Sequence, residues 1–181
     1  ADLSGGPVGV LDPAGQADRV VAVAGLGDQL GPALIAMAGP VDHVVTSGTF
    51  SLDGGVWDVE NNVWIVGNDR EVIVVDPAHD TAAILERIAG RNVAAIVCTH
   101  AHDDHVREAP RLAGLVKAPI LLHPHDGELW EQTHPERKPD GELYSGQRLS
   151  VAGLDLEVLF TPGHSRGSIC LHAPELSTVF T

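Results

Sequence analysis

Thr99-His100-Ala101-His102-Asp103-Asp104-His105 decides how this chain is read. The stretch follows the apolar run Val93-Ala94-Ala95-Ile96-Val97-Cys98, which has the length and composition of a buried strand. Ligand-bearing loops sit at strand ends because a rigid scaffold holds them there. His100 and His102 are two apart, so in extended chain their side chains point the same way. Asp104 and His105 fall where Asp104-His105-Val106-Arg107-Glu108-Ala109 turns helical. One short turn can therefore aim four donors into one space. Imidazole with carboxylate suits zinc, iron or manganese better than calcium. The plain structural alternative is a solvated turn with Asp103 or Asp104 as helix N-cap, and an N-cap role for Asp103 is compatible with a metal site.

The pattern H-x-H-x-D-H resembles the signature of the metallo-β-lactamase superfamily. A second segment, Thr161-Pro162-Gly163-His164-Ser165-Arg166-Gly167-Ser168, is similar to the T-P-G-H-[ST]-x-G-S segment of the branch that includes glyoxalase II-like thioesterases (hydroxyacylglutathione hydrolases). The resemblance runs from about Val41 onward. It implies an α/β fold, the metallo-β-lactamase-like αββα sandwich, of which this chain holds the N-terminal part.

A chain of 181 residues is expected to form one domain. An apolar content of 44% suffices for a core. The formal charge of −14 argues against a nucleic-acid partner. No apolar run has the length of a membrane span and the start lacks a signal-peptide pattern, so a cytoplasmic enzyme is expected. Cys98 and Cys170 read as buried free thiols.

Residues 1–40 read as a leader or extension and 41–181 as the metallo-β-lactamase-like domain, lacking its C-terminal part. Within the leader, Arg19 to Ala24 has strand character and residues 28–38 could make a short helix. Gly25-Leu26-Gly27 with Gly31 does not match G-x-G-x-x-G, so a dinucleotide site is rejected. Strands are expected over Val44–Phe50, Asn62–Val66 and Glu71–Val75, the last two joined as a hairpin through Gly67-Asn68-Asp69-Arg70. A helix follows over Thr81–Ala89 with Gly90 as its C-cap. The helix after the ligand turn offers Leu112, Leu115 and Val116 to the core. Pro119–His123, Leu154–Phe160 and Ser168–Leu171 read as further strands, Thr133–Ser145 as a surface loop or lid, and Val179-Phe180-Thr181 as the start of one more strand. His123 to Asp126 are expected to be structural or to wall a cleft. His43, His79 and His172 are read as non-functional.

The resemblance assigns His100, His102 and His164 to a first metal, and Asp104 and His105 to a second. It makes Asp76, at a strand end before Pro77, a residue that orients a ligand histidine; its plain alternative is a turn-initiating Asp-Pro. The resemblance implies that the intact enzyme would hold two metal ions, zinc in the favoured reading; ions roughly 3.5–4 Å apart could supply a hydroxide as nucleophile toward a carbonyl, in the favoured branch that of a thioester of a thiol cofactor. Asp104 is a candidate to take a proton. The bridging aspartate and last histidine of the family would follow Thr181, so the sequence reads as truncated. The alternatives are a persulfide dioxygenase-like enzyme with one iron, or a non-catalytic fragment. The implied partner is a small-molecule substrate, with a homo-oligomer possible. Arg166 is a candidate anion contact, and Ser145, Arg148 and the region of Trp130 are candidate cleft-lining residues.

Overall fold

The computed structural model describes residues 39–52 and 54–181; the strand and helix expected before residue 39 lie outside them. The chain runs β1 (Val41–Leu52), β2 (Gly55–Gly67), β3 (Glu71–Val75), α1 (Thr81–Ile88), β4 (Asn92–Val97), α2 (Asp103–Val106), α3 (Ala109–Val116), β5 (Ile120–Leu122), α4 (Gly127–Thr133), β6 (Gly141–Glu142), β7 (Arg148–Val151), β8 (Leu154–Phe160), β9 (Ile169–Ala173) and β10 (Thr178–Phe180). A mixed sheet has the order β1-β2-β3-β4-β5-β6 and an antiparallel sheet the order β10-β9-β8-β7. Strands β3 to β6 are parallel. Parallel neighbours need crossovers, and α1 and then α2–α3 supply them on the way to β4 and β5.

Period-2 alternation sorts the mixed sheet's side chains into two cores. Val72 and Val74 of β3 pack with Ile84, Leu112 and Trp130 on the helical side. Ile73 and Val75 pack with Leu156, Val158, Leu171 and Phe180 of the second sheet. On β4, Val93 and Ile96 both face the helices although they are three residues apart. The register shifts between Val72/Val93 and Ile73/Ala95, so a bulge at Ala94 turns the strand over. The layers are thus helices, mixed sheet and antiparallel sheet, three of the four layers of the αββα sandwich. Among the described residues no helix is long and apolar enough to cross a membrane.

Several elements differ from expectation. Strand β2 begins seven residues before Asn62, because its first half pairs with β1 in a ribbon whose side chains alternate between exposed and half-buried. Helix α1 ends on Ala89, at φ 54°, rather than with Gly90 as the cap. Asp103 does not cap α2: it is the first helical residue, His102 precedes it, and its carboxylate accepts from Arg107 and from Ser51 N–H (3.3 Å). Leu115 is exposed while Leu112 is fully buried. Residues 133–145 are not simply a loop: β6 extends the mixed sheet there and Leu143 is buried. Cys98 is a buried free thiol, its pKa pushed well up by burial and then by the nearby Asp76 charge; Cys170 is only half-buried.

Candidate metal centre

Chain elements from both sheets meet at one end of the sandwich. Thr99 to His105 leave the C-terminal end of β4, Asp76 follows β3, Asp126 follows β5, and Thr161 to Ser168 connect β8 to β9. Ile169 N–H donates to Thr99 O (2.9 Å), tying the second sheet to the β4 turn.

His164 Nε2 lies 3.1 Å from His100 Nε2 and 3.0 Å from His102 Nδ1. His100 is buried, His102 half-buried and His164 exposed, so the cluster opens toward solvent on one side. Burial, and then the neighbouring imidazoles His105, His164 and His102, hold His100 well below its ordinary pKa. Burial, then His164, lowers His102. Neutral imidazole is the form that ligates metal.

A relay below the cluster sets the tautomers. Asp76 is buried and accepts Thr99 N–H at Oδ1 (2.7 Å) and Thr99 Oγ1–H at Oδ2 (2.7 Å). With its proton committed, Thr99 Oγ1 accepts from His100 Nδ1 (3.1 Å), which leaves His100 Nε2 as a lone pair. Asp76 Oδ2 also accepts from His105 Nδ1 (3.1 Å), which leaves His105 Nε2 as a lone pair. Asp76 reaches this place with φ 51°, a backbone conformation Asp tolerates better than most residues. Asp76, His100 and His105 also form a group of three donors. Both Asp76 oxygens already accept hydrogen bonds from Thr99 or His105.

The His100–His102–His164 arrangement fits a cation. With His100 Nε2 a lone pair, at best a single N–H on His164 is split between two acceptors. A cation shared by the three nitrogens satisfies all of them.

Asp104 and His105 are both buried, with Asp104 Oδ2 3.5 Å from His105 Nε2. Asn61 Nδ2 donates to both, at 3.0 and 3.1 Å. Its Oδ1 accepts from His79 Nε2 (2.8 Å). Asp104 Oδ1 is buried without a hydrogen-bond partner among the described residues, the state of a carboxylate oxygen that could serve a cation. Sequence reasoning missed Asn61 and set His79 aside. Asn61 did leave a signal, since it shares the buried face of β2 with Val63 and Ile65. A polar residue in an apolar period-2 register marks a site to inspect.

Phe50 and Trp57 wall this end. Phe50 meets His102 edge-on at 5.4 Å and stacks with Trp57 at 5.9 Å. The remaining candidates make contacts of other kinds, Arg166 doing so from within the His164 turn itself. Trp130 is buried in the helical core, with Nε1–H on Arg137 O. Ser145 Oγ accepts from Phe160 N–H (3.3 Å), and Arg148 is exposed on β7. Arg166 faces Glu128 across an exposed 3.6 Å ion pair.

Residues 56–181 match the metallo-beta-lactamase superfamily. The chain belongs to this superfamily. Relatives within it include a hydroxyacylglutathione hydrolase of Aeromonas salmonicida (strain A449), 32% identical over 116 residues, which cover 62% of this chain and 42% of that protein. An atrochrysone carboxyl ACP thioesterase of Pseudocercospora fijiensis (strain CIRAD86) is 29% identical over 160 residues, covering 85% and 42%. The chain thus spans less than half the length of these two relatives. Among solved structures, TTHA1623 in a di-iron-bound form is 30% identical with a TM-score of 0.58, covering 65% of this chain and 64% of that one.

Proposed function

We propose that His100, His102 and His164 hold a divalent cation and that the protein hydrolyses a thioester of a thiol cofactor. The observation that carries this reading is the approach of His164 Nε2 to His100 Nε2 (3.1 Å) and His102 Nδ1 (3.0 Å), two turns meeting in a cluster that opens to solvent. The names of the hydrolase and thioesterase relatives support the substrate class. A cation held there supplies a water of near-neutral pKa and polarises a carbonyl oxygen. The chain's own residues do the rest. Asp76 and Thr99 hold His100 and His105 in the ligating tautomer. Asp104 and His105 are the pair for a second ion, and Asp104 Oδ1 is the carboxylate oxygen that has no hydrogen-bond partner among the described residues. Phe50 and Trp57 offer an apolar surface beside His102. Zinc suits this nitrogen-rich donor set. Iron is the second reading, favoured by the di-iron form of TTHA1623. A small-molecule substrate and a cytoplasmic setting belong to the same proposal.

The test is elemental analysis of the purified chain, with assays on glutathione and pantetheine thioesters, a lactone and a β-lactam. Bound zinc with thioester cleavage, both lost in His102→Ala, is the expected result. Unchanged metal content in His102→Ala refutes the ligand assignment. A loaded protein that cleaves no thioester refutes the substrate class. Iron with oxygen uptake on a persulfide substrate moves the reading to oxygenation.

A further inference from the structure

Asp126 plays no part in the proposed chemistry, yet it is among the most buried polar residues described, at 1% exposure. It sits on the turn Pro124–Asp126 after β5, with its backbone N–H on His123 O (3.0 Å). Oδ2 accepts from Ala101 N–H (3.0 Å) and from Ser165 Oγ (2.7 Å). Oδ1 accepts from Gly167 N–H (2.5 Å). Ala101 lies between His100 and His102, and Ser165 adjoins His164. One carboxylate therefore grips both histidine turns, each within one residue of a ligand candidate, although the turns are more than sixty residues apart in sequence. The approach is close: a Cβ on Gly167 would lie 2.7 Å from Asp126 N and 2.8 Å from its Cγ and Oδ1.

We infer that Asp126 is a positioning residue, whose carboxylate fixes the separation and angle of the His100–His102 turn and the His164 turn. The inference rests on the reading that these three histidines hold a cation. Among the described residues Asp126 has no ion-pair partner; a buried carboxylate so placed is costly to keep, and hydrogen bonds from three donors offset that cost. Asn in its place accepts at one oxygen only and points an N–H₂ at the other donors. The turns have a second, independent tie in Ile169 N–H to Thr99 O, so the sheets stay together when the first is loosened.

The test is Co²⁺ titration of the full chain, followed by its visible d–d bands, beside thermal melts of the metal-free protein. Partners that orient metal ligands are typically worth about 10–100-fold in affinity. Asp126→Asn is expected to weaken Co²⁺ binding by about that much and to change the band shape, while the metal-free protein still melts cooperatively at a temperature several degrees lower, since one buried donor loses its acceptor. Ser165→Ala removes one of the three bonds and is expected to weaken binding several-fold. Unaltered affinity and bands in Asp126→Asn overturn the inference and leave the metal reading standing. No Co²⁺ binding by the unaltered chain overturns the metal reading, and the inference with it. Should Asp126→Asn fail to fold, Ser165→Ala decides: lower affinity at unchanged melting temperature supports positioning, and unchanged affinity refutes it.

Discussion

Replacing Asp76 by Ala isolates the relay that sets two imidazole tautomers. Asp76 accepts three hydrogen bonds at 2.7, 2.7 and 3.1 Å and is 2% exposed. Truncation leaves Thr99 N–H and His105 Nδ1–H without their acceptor, at about 1–3 kcal/mol each. Ala at φ 51° adds roughly 1 kcal/mol of backbone strain. Thr99 Oγ1 can rotate to another partner and contributes little. Against these, a buried carboxylate disappears and its desolvation is recovered. The net expectation is about 4 kcal/mol, a large share of the roughly 5–15 kcal/mol that holds a domain folded. The assay is urea unfolding of metal-free protein in chelator, which separates the relay from any ion. With a slope near 2 kcal/mol per molar, the midpoint should fall by about 2 M. Asp76→Asn keeps the volume and one acceptor and should fall by less than half of that. A midpoint shift under about 0.5 M for Asp76→Ala refutes the relay as a source of stability.

Asn61→Asp exchanges the amide donor between Asp104 and His105 for an acceptor; a second equivalent of Co²⁺ should bind more tightly than to the unaltered chain, and calorimetric titration showing no gain sinks the idea that Asn61 competes for that place. Gly167→Ala forces a methyl group against the Asp126 backbone and carboxylate; at about 1–3 kcal/mol for overpacking the melting temperature should drop by several degrees, and an unchanged melt shows that the turn yields freely. His123 has its pKa lowered by burial first and then by His125, and its Nδ1 accepts from His125 N–H (3.2 Å), a bond that protonation breaks. The unfolded chain therefore binds the extra proton at higher pH than the folded one, so stability should fall as pH drops below about 6.5. His123→Gln should flatten the dependence of melting temperature on pH between 5 and 7, and an equal slope in both proteins refutes the assignment.

The H-x-H-x-D-H turn was legible because its meaning is local. His100 and His102 come together in the turn between the end of β4 at Val97 and the start of α2 at Asp103, and the helix start brings Asp104 and His105 close by. His164 was legible only through the family resemblance, since nothing in the spacing of Thr161 to Ser168 says which earlier turn it will meet. Asp126 was legible only as part of a structural or cleft-walling stretch, not by its partners, because its carboxylate reaches two turns, 25 residues back and 39 residues ahead. His79 was passed over for the same reason, as a lone histidine whose partner Asn61 lies 18 residues earlier. Strands β6 and β7 escaped because two and four residues carry too little pattern, and Leu143 is buried by what packs over it rather than by any periodicity. Leu115 was misplaced because helical spacing gave it the same claim on the core as Leu112, and α3 turns only one of them inward.

The three imidazoles come from different layers: His100 and His102 follow a strand of the mixed sheet, and His164 lies between two strands of the antiparallel one. On the proposed metal reading, ion capture and sheet docking are a single linked equilibrium. Free ion at a hundred times its dissociation constant would add about 2.7 kcal/mol to the cohesion of the layers. The linkage is reciprocal, so a lesion remote from the histidines still reaches them. Hollowing the seam at Phe180, whose ring lies 5.7 Å from that of Trp64, should cost ion affinity without touching a donor atom. Scarcity of the ion would then shorten the lifetime of the protein against proteases as well as its chemistry.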